Sequence, residues 1–173
     1  EYDYARVLQF AAIVLERTDD PGDVYRYESS INSYISQSYL SKRAEQYTGI
    51  TLEKLKDWGQ PMKDFVEFYN MFYAELNMSD TVFVSHGAKN DRKVLREAGL
   101  INLPEHSFCT YKNGKAILKR ENTLTLTNLA EESGYSMDNA HDAFADARAT
   151  LHVLSYVLSI FNLGIKIAAL IVP

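Results

Sequence analysis

A histidine and two aspartates are the residues of this chain whose types and positions could do chemistry together. His141 lies five residues before Asp146 at the start of an apolar helix, and Asp91 follows a short apolar strand. Carboxylates are hard oxygen ligands that suit Mg²⁺ and Mn²⁺, and a histidine can accept a proton near neutral pH. Taken singly, each residue is more simply explained as a helix-terminal acid or a cap-region histidine. Together they predict metal-assisted hydrolysis of a phosphodiester, in which cations offset phosphate charge.

The helix that carries Asp146 explains how the pair could converge. Apolar residues recur with a period of 3.6 from about Asp142, which is a plausible N-cap. A spacing of five is ~140° of helical rotation, so His141 and Asp146 would not share a face inside one helix. With His141 in the loop before the helix, both side chains can reach one point. The predicted buried face consists of Ala143, Ala147, Leu151, Leu154, Leu158 and Phe161.

A second candidate segment surrounds Asp91. An apolar strand, Thr81–Ser85, is followed by a tight turn over residues 86–90 and by a helix from Asp91 to Ala98. Active sites of α/β sheets form at such strand ends, because the loops there aim side chains into a shared crevice. Asp91 is therefore a candidate catalytic residue and metal ligand, and His86 is a candidate substrate-binding residue.

The remaining segments alternate between strand and helix patterns. Arg6–Arg17 reads as a buried strand that forms a hairpin with residues 24–31 through the turn Asp19–Asp23. This alternation predicts an α/β fold with one mixed sheet flanked by helices. The other predicted elements are helices at 39–47, 61–76 and 124–132, a strand at 107–110 and a loop at 112–115.

Composition indicates one compact domain in a reducing compartment. The chain has 173 residues, 46% of them hydrophobic, and one cysteine, Cys109. A single cysteine excludes an internal disulfide. The segment Glu1–Tyr4 is acidic and aromatic, unlike a signal peptide, so we expect a cytoplasmic protein. The net charge of −5 argues against a protein that coats polyanions, but not against a nuclease with an acidic metal site.

The C-terminal segment is the most apolar part of the chain. Residues 153–173 are mostly apolar but are interrupted by Asn162, Gly164 and Lys166. A membrane span needs about 20 predominantly apolar residues, so we expect no membrane partner. The predicted division is a domain over residues 1–162 and an apolar tail over residues 163–173.

Two motifs resemble the DEDDh exonucleases of the DnaQ-like group. That family's third motif is a histidine, four residues and an aspartate, and the segment His141-Asp-Ala-Phe-Ala-Asp146-Ala-Arg-Ala-Thr is similar to it. Its second motif precedes a helix, and Ser85-His86-Gly87-Ala88-Lys89-Asn90-Asp91 resembles it in the histidine and the aspartate. The segment Thr48-Gly49-Ile50-Thr51 resembles the stretch between the first two motifs.

The resemblance implies a ribonuclease H-like fold and a 3′–5′ exonuclease. By it, Asp91 and Asp146 would be metal ligands, His141 would be the general base, and two Mg²⁺ or Mn²⁺ ions would be the cofactors. The substrate would be the 3′ end of single-stranded DNA or RNA. An additional domain or subunit before or after this chain would be a possible partner.

The family's first motif, Asp-x-Glu on the first central strand, has no counterpart in the sequence. Glu1 and Asp3 have the reverse order and are not assigned as ligands. We therefore expect the first central strand to be missing, either because the sequence is a fragment or because a substitute fills its place. The β-rich tail from Gly164 to Pro173 is the candidate substitute. An alternative function, a catalytically inactive module that binds nucleic acid or a protein, stays open.

Overall fold

Two groups of paired strands form the sheet of this chain. The computed structural model describes residues 7–18, 25–74, 76–122, 124–137, 140–161 and 169–171. In the first group β1 (Gln9–Arg17) pairs antiparallel with β2 (Tyr25–Ile35), which pairs in parallel with β3 (Gly59–Gln60). In the second group β4 (Val82–Ser85) lies between β5 (His106–Cys109) and β6 (Ala169–Ile171) and is parallel to both.

Helices fill the connections between these strands. Their lengths follow local signals, such as the hydroxyl N-caps Ser41, Thr51 and Thr125, whose side chains accept backbone N–H bonds. The helices of the described residues are α1 (Lys42–Thr48), α2 (Leu52–Trp58), α3 (Met62–Phe72), α4 (Ala88–Glu97), α5 (Thr110–Ile117), α6 (Leu126–Glu132) and α7 (Ala143–Phe161).

Strand β1 is buried on both faces, as its continuous apolar sequence predicts. Successive side chains of a strand point to opposite faces, so its residues divide between two hydrophobic clusters. Phe10, Ala12 and Val14 pack with Phe65 and Leu95 of helices α3 and α4. The alternate residues Ala11, Ile13 and Leu15 pack on α7. Helices therefore cover both faces, which confirms the mixed α/β sheet.

The apolar tail contributes a strand beside β4. Ala169, Leu170 and Ile171 pair in parallel with Val82, Phe83 and Val84. The same tail strand, β6, also contacts β1, so it lies between the two groups of strands. Buried backbone groups of β4 thereby gain partners that they would otherwise lack. The replacement of the family's first central strand by this tail stays a prediction.

The segment 112–115, predicted as a loop, lies inside helix α5. Asn113-Gly114 is a common turn sequence, and that local signal was misleading here. Gly114 is buried, and a Cβ atom built on it would lie 3.5 Å from Cγ2 of Val157 on α7. An added methyl group would therefore make only an ordinary van der Waals contact with α7. The Cys109 thiol accepts the N–H of Lys112 at the start of α5.

Several boundaries also differ from the prediction. Helix α4 begins at Ala88, so Asp91 lies within its first turns rather than at its start, and α1 begins at Lys42. Helix α2 was not predicted, because its seven residues are too few to show a clear period. The predicted turn Asp19–Asp23, together with Glu1 and Asp3, lies outside the described residues.

Within the described part of the chain, no helix is both long and apolar enough to cross a membrane.

Candidate active site

Asp91 is held at the end of β4 by its neighbours in the sequence. The Ser85 hydroxyl donates a hydrogen bond of 2.7 Å to Oδ2 of Asp91. The carboxylate also approaches Gly87, where an added Cβ would lie 3.4 Å from Oδ2. Burial raises the pKa of Asp91 above its ordinary value, and the Ser85 hydroxyl and the Gly87 backbone act in the opposite direction. The local sequence thus places a half-buried acid at the strand end, as predicted.

Asp146 and His141 meet at the entrance to α7. The backbone N–H of His141 donates to Oδ1 of Asp146 over 3.2 Å. Burial raises the pKa of Asp146 to about 6, opposed by this hydrogen bond and by the charge of His141. His141 has a φ of 72°, in the left-handed region. Such backbone is uncommon for a residue other than glycine and is often found at functional sites.

Gln9 connects this entrance to the sheet, a contact that the sequence did not reveal. Asp142 caps α7 by accepting the N–H groups of Phe144 and Ala145 at 3.1 and 3.0 Å, as predicted. Gln9 of β1 donates to Oδ2 of Asp142 at 2.9 Å and accepts the N–H of Ala143 at 3.0 Å. The first turn of α7, and with it Asp146, is thereby fixed to the buried strand.

His86 is tied into the protein through both ring nitrogens. Nδ1 lies 3.0 Å from the Thr110 hydroxyl, and Nε2 lies 2.9 Å from the Leu124 carbonyl oxygen. Burial lowers the pKa of His86, which favours the neutral ring. The residue borders the same cavity as Asp91, and its substrate-binding role stays a prediction.

The three predicted catalytic residues border one cleft. Asp91, His141 and Asp146 all line a cavity of about 760 Å³ and an adjoining one of about 270 Å³. Tyr47 of α1 lines both cavities, and its ring centroid lies 4.2 Å from that of His141 with a tilt of 36°. Tyr47 was missed because nothing near it in the sequence marks a partner that lies 94 positions later.

The donor types of the cleft suit a hard divalent cation. None of the Lys or Arg ion pairs found among the described residues includes Asp91 or Asp146, so burial of the two acids is not offset by such a pair. A cation between them would relieve that cost. In the same described ranges, no group of three or more His, Cys, Asp and Glu side chains is close enough to hold a metal. The two carboxylates are therefore suitable ligands for a divalent cation, and further ligands are needed to complete a metal site.

Solved nucleases share this fold at low sequence identity. Exonuclease X in complex with 5′ overhanging duplex DNA superposes with a TM-score of 0.65 at 17% identity, over 93% of this chain and 88% of that one. Cell-death related nuclease 4 superposes with a TM-score of 0.66 at 21% identity, over 95% of this chain and 59% of that one. Escherichia coli exonuclease I in complex with a dA16 oligonucleotide superposes with a TM-score of 0.63 at 21% identity, over 90% of this chain and 38% of that one. The chain thus spans well under two thirds of the latter two.

Family membership follows from the sequence. No curated protein is similar enough in sequence to count as a match. The sequence profile of the family described as RNase_T: Exonuclease matches residues 2–154, most of the chain. That match contains the segments of Asp91, His141 and Asp146, and the solved nucleases above agree with it in fold. The chain therefore belongs to the RNase_T exonuclease family, in the DnaQ-like group with a ribonuclease H-like fold, as its two motifs predict.

Proposed function

We propose that this chain is a metal-dependent 3′–5′ exonuclease that acts on single-stranded DNA or RNA. The observation that carries the proposal is the convergence of Asp91, His141 and Asp146 on one cleft. The family match supports nuclease chemistry. Exonuclease X and exonuclease I, which share the fold, were solved with DNA, which supports a nucleic acid as the ligand of this cleft.

The residues of the cleft have distinct roles in this proposal. Asp91 and Asp146 would hold Mg²⁺ or Mn²⁺, which when bound neutralises charge on the scissile phosphate. His141 takes the proton from the attacking water, a role that requires its ring to be fixed near the phosphate. Ser85 orients the Asp91 carboxylate through its hydroxyl. Gln9 and Asp142 keep the first turn of α7 in place, so that Asp146 points into the cleft.

A second function is favoured by one specific observation. Among the described residues, no three potential ligands are close enough to hold a metal ion. A cleft with two acids would then bind nucleic acid or a protein without cleaving it. The distinguishing property is Mg²⁺- or Mn²⁺-dependent release of mononucleotides, which the binding module would lack.

The experiment compares two single strands, one with a free 3′ hydroxyl and one blocked by a 3′ phosphate. We expect mononucleotides from the free 3′ end only, in the presence of Mg²⁺ or Mn²⁺. His141→Gln should reduce the rate by at least about 100-fold, the usual contribution of a positioned proton acceptor. Asp146→Asn should also reduce the rate, because it removes the charge of a metal ligand. His106→Gln is the matched control, because His106 is exposed on β5 and lies outside the cleft.

The result separates the alternatives. Equal activity in wild type, Asp146→Asn and His141→Gln would assign the activity to a contaminant. Binding of the strand without metal-dependent cleavage in a folded wild-type protein would support the inactive module.

A further inference from the structure

A second cavity adjoins the cleft on the side of α1 and α2. It has a volume of about 450 Å³, and its lining includes Tyr34, Tyr47 and Lys54. Tyr47 also lines both cavities that contain Asp91, His141 and Asp146. Because it lines all three cavities, Tyr47 forms a shared wall between the catalytic cleft and this neighbouring groove.

The groove presents a cation held between aromatic rings. The Lys54 ammonium lies 4.4 Å from the centre of the Tyr34 ring and 5.9 Å from that of Trp58. These distances are within the range of cation–π attraction, so the rings fix the position of the charge. Lys54 takes part in none of the ion pairs identified among the described residues. Among the described residues, no carboxylate neutralises the Lys54 ammonium, which can therefore pair with an anion.

Trp58 supplies a large aromatic surface beside this cation. It is 73% exposed although it ends helix α2 against β3, so the core does not account for its ring. The groove also contains Asp142. The oxygens of that carboxylate already accept the N–H groups of Phe144 and Ala145 and the amide of Gln9, which offsets its repulsion of an anion.

We propose that the groove lined by Tyr34 and Lys54, together with the Trp58 ring beside the Lys54 ammonium, binds the nucleotides that precede the scissile end of a single-stranded nucleic acid. A backbone phosphate pairs with the Lys54 ammonium, and a base stacks on the Trp58 ring. A single strand alternates charged phosphates with flat bases, and a cation beside an aromatic ring can bind both. The inference rests on the proposed exonuclease function, since the substrate strand must run from the cleft past Tyr47.

The single tryptophan of the chain gives a direct test. The protein, in Ca²⁺ to prevent hydrolysis, is titrated with a fluorescein-labelled hexamer for anisotropy and an unlabelled hexamer for Trp58 emission. We expect saturable quenching of Trp58 with the affinity measured by anisotropy. Trp58→Ala and Lys54→Gln should each weaken hexamer binding by about tenfold. Lys54→Gln should also reduce the slope of log affinity against log salt concentration by about 1, as expected for the loss of one phosphate contact.

A matched variant and a short substrate complete the design. Lys119→Gln removes an exposed lysine from the turn after α5 and should leave affinity unchanged. The p-nitrophenyl ester of thymidine 5′-monophosphate occupies the cleft without reaching the groove. Lys54→Gln should therefore leave the KM for this ester unchanged and raise the KM for the hexamer.

Each other result overturns the proposal. Anisotropy that reports binding while Trp58 emission stays constant would reject the groove and leave the exonuclease proposal intact. Equal changes in hexamer affinity for Lys54→Gln and Lys119→Gln would also reject the groove and leave the exonuclease proposal intact. Absence of both binding and cleavage in the folded wild type would reject the groove together with the proposed function.

Discussion

Asp91 and Asp146 illustrate how burial prepares an acid for a cation. Burial raises the pKa of both groups, and that of Asp146 to about 6, although hydrogen bonds to Ser85 and to the His141 backbone oppose the shift. A structural surface acid would have no such cost. The left-handed backbone of His141 and its contact with Tyr47 add two further constraints at the same point.

The Tyr47 contact predicts a positioning role for this side chain. Tyr47→Ala should lower kcat by about two- to tenfold, because an aromatic pair is worth about 0.5–1.5 kcal/mol. Tyr47→Phe keeps the ring and should retain kcat. The measurement is kcat at saturating substrate, together with the ring-current shift of the His141 C–H resonances in the free protein. An unshifted His141 resonance in Tyr47→Ala would show that the rings do not touch in solution.

The half-buried ring of His86 predicts a dependence of stability on pH. Its folded pKa lies below the ordinary 6.5, so between these two values the unfolded chain binds more protons. The free energy of unfolding should therefore fall as the pH drops below about 6.5. Urea unfolding in a chelator should show a shallower pH dependence for His86→Gln than for wild type. His106→Gln, an exposed control, should retain the wild-type slope, and equal slopes in all three proteins would contradict the prediction.

At the scale of elements, the site depends on how α7 is seated. Gln9 fixes its first turn to β1, and the α5 helix packs on its middle through Gly114 and Val157. Alternate residues of β1 pack on opposite faces of the sheet. One strand thus carries the contacts that place both the core and the Asp146 helix.

The α5–α7 contact predicts opposite effects of small and large residues at Gly114. An added Cβ would lie 3.5 Å from Val157 Cγ2, an ordinary contact, so Gly114→Ala should stabilise by about 0.5–1 kcal/mol through helix propensity. Gly114→Leu would force the helices apart and should destabilise by about 1–3 kcal/mol. Urea unfolding measures both. Destabilisation by Gly114→Ala would mean that the helices pack more closely than this distance indicates.

At the scale of the molecule, β6 joins two groups of strands. It pairs with β4 and contacts β1, so residues far apart in sequence bring the two groups of strands together. Asp91 lies in α4, which directly follows β4, the strand that pairs with β6.

Removal of residues 162–173 should therefore weaken the whole sheet. We expect a loss of at least about 1–3 kcal/mol in the free energy of unfolding, since backbone groups of Val82–Val84 lose buried partners. Amide hydrogen exchange should accelerate in β4 more than in β2, which pairs with β1 and β3. Unchanged exchange in β4 after truncation would contradict the pairing with β6.

The sequence by itself determined those features that depend on local spacing. His141, Asp142 and Asp146 were found because a cap, a loop residue and a first-turn acid lie within six positions. Asp91 was found because a short apolar strand precedes it. Strand β1 was evident because burial on both faces requires a continuous apolar run.

Only the tertiary structure decided the contacts that join distant segments. Tyr47 contacts His141, and Gln9 forms a hydrogen bond to Asp142, across large separations in sequence. The helix at Gly114 likewise packs on a distant residue, Val157. Local patterns do not encode such partners, and at Asn113-Gly114 helix packing overrode a turn signal. The tail strand is a further case, because its β-rich sequence suggested a substitute strand, whereas only the fold pairs it with Val82–Val84.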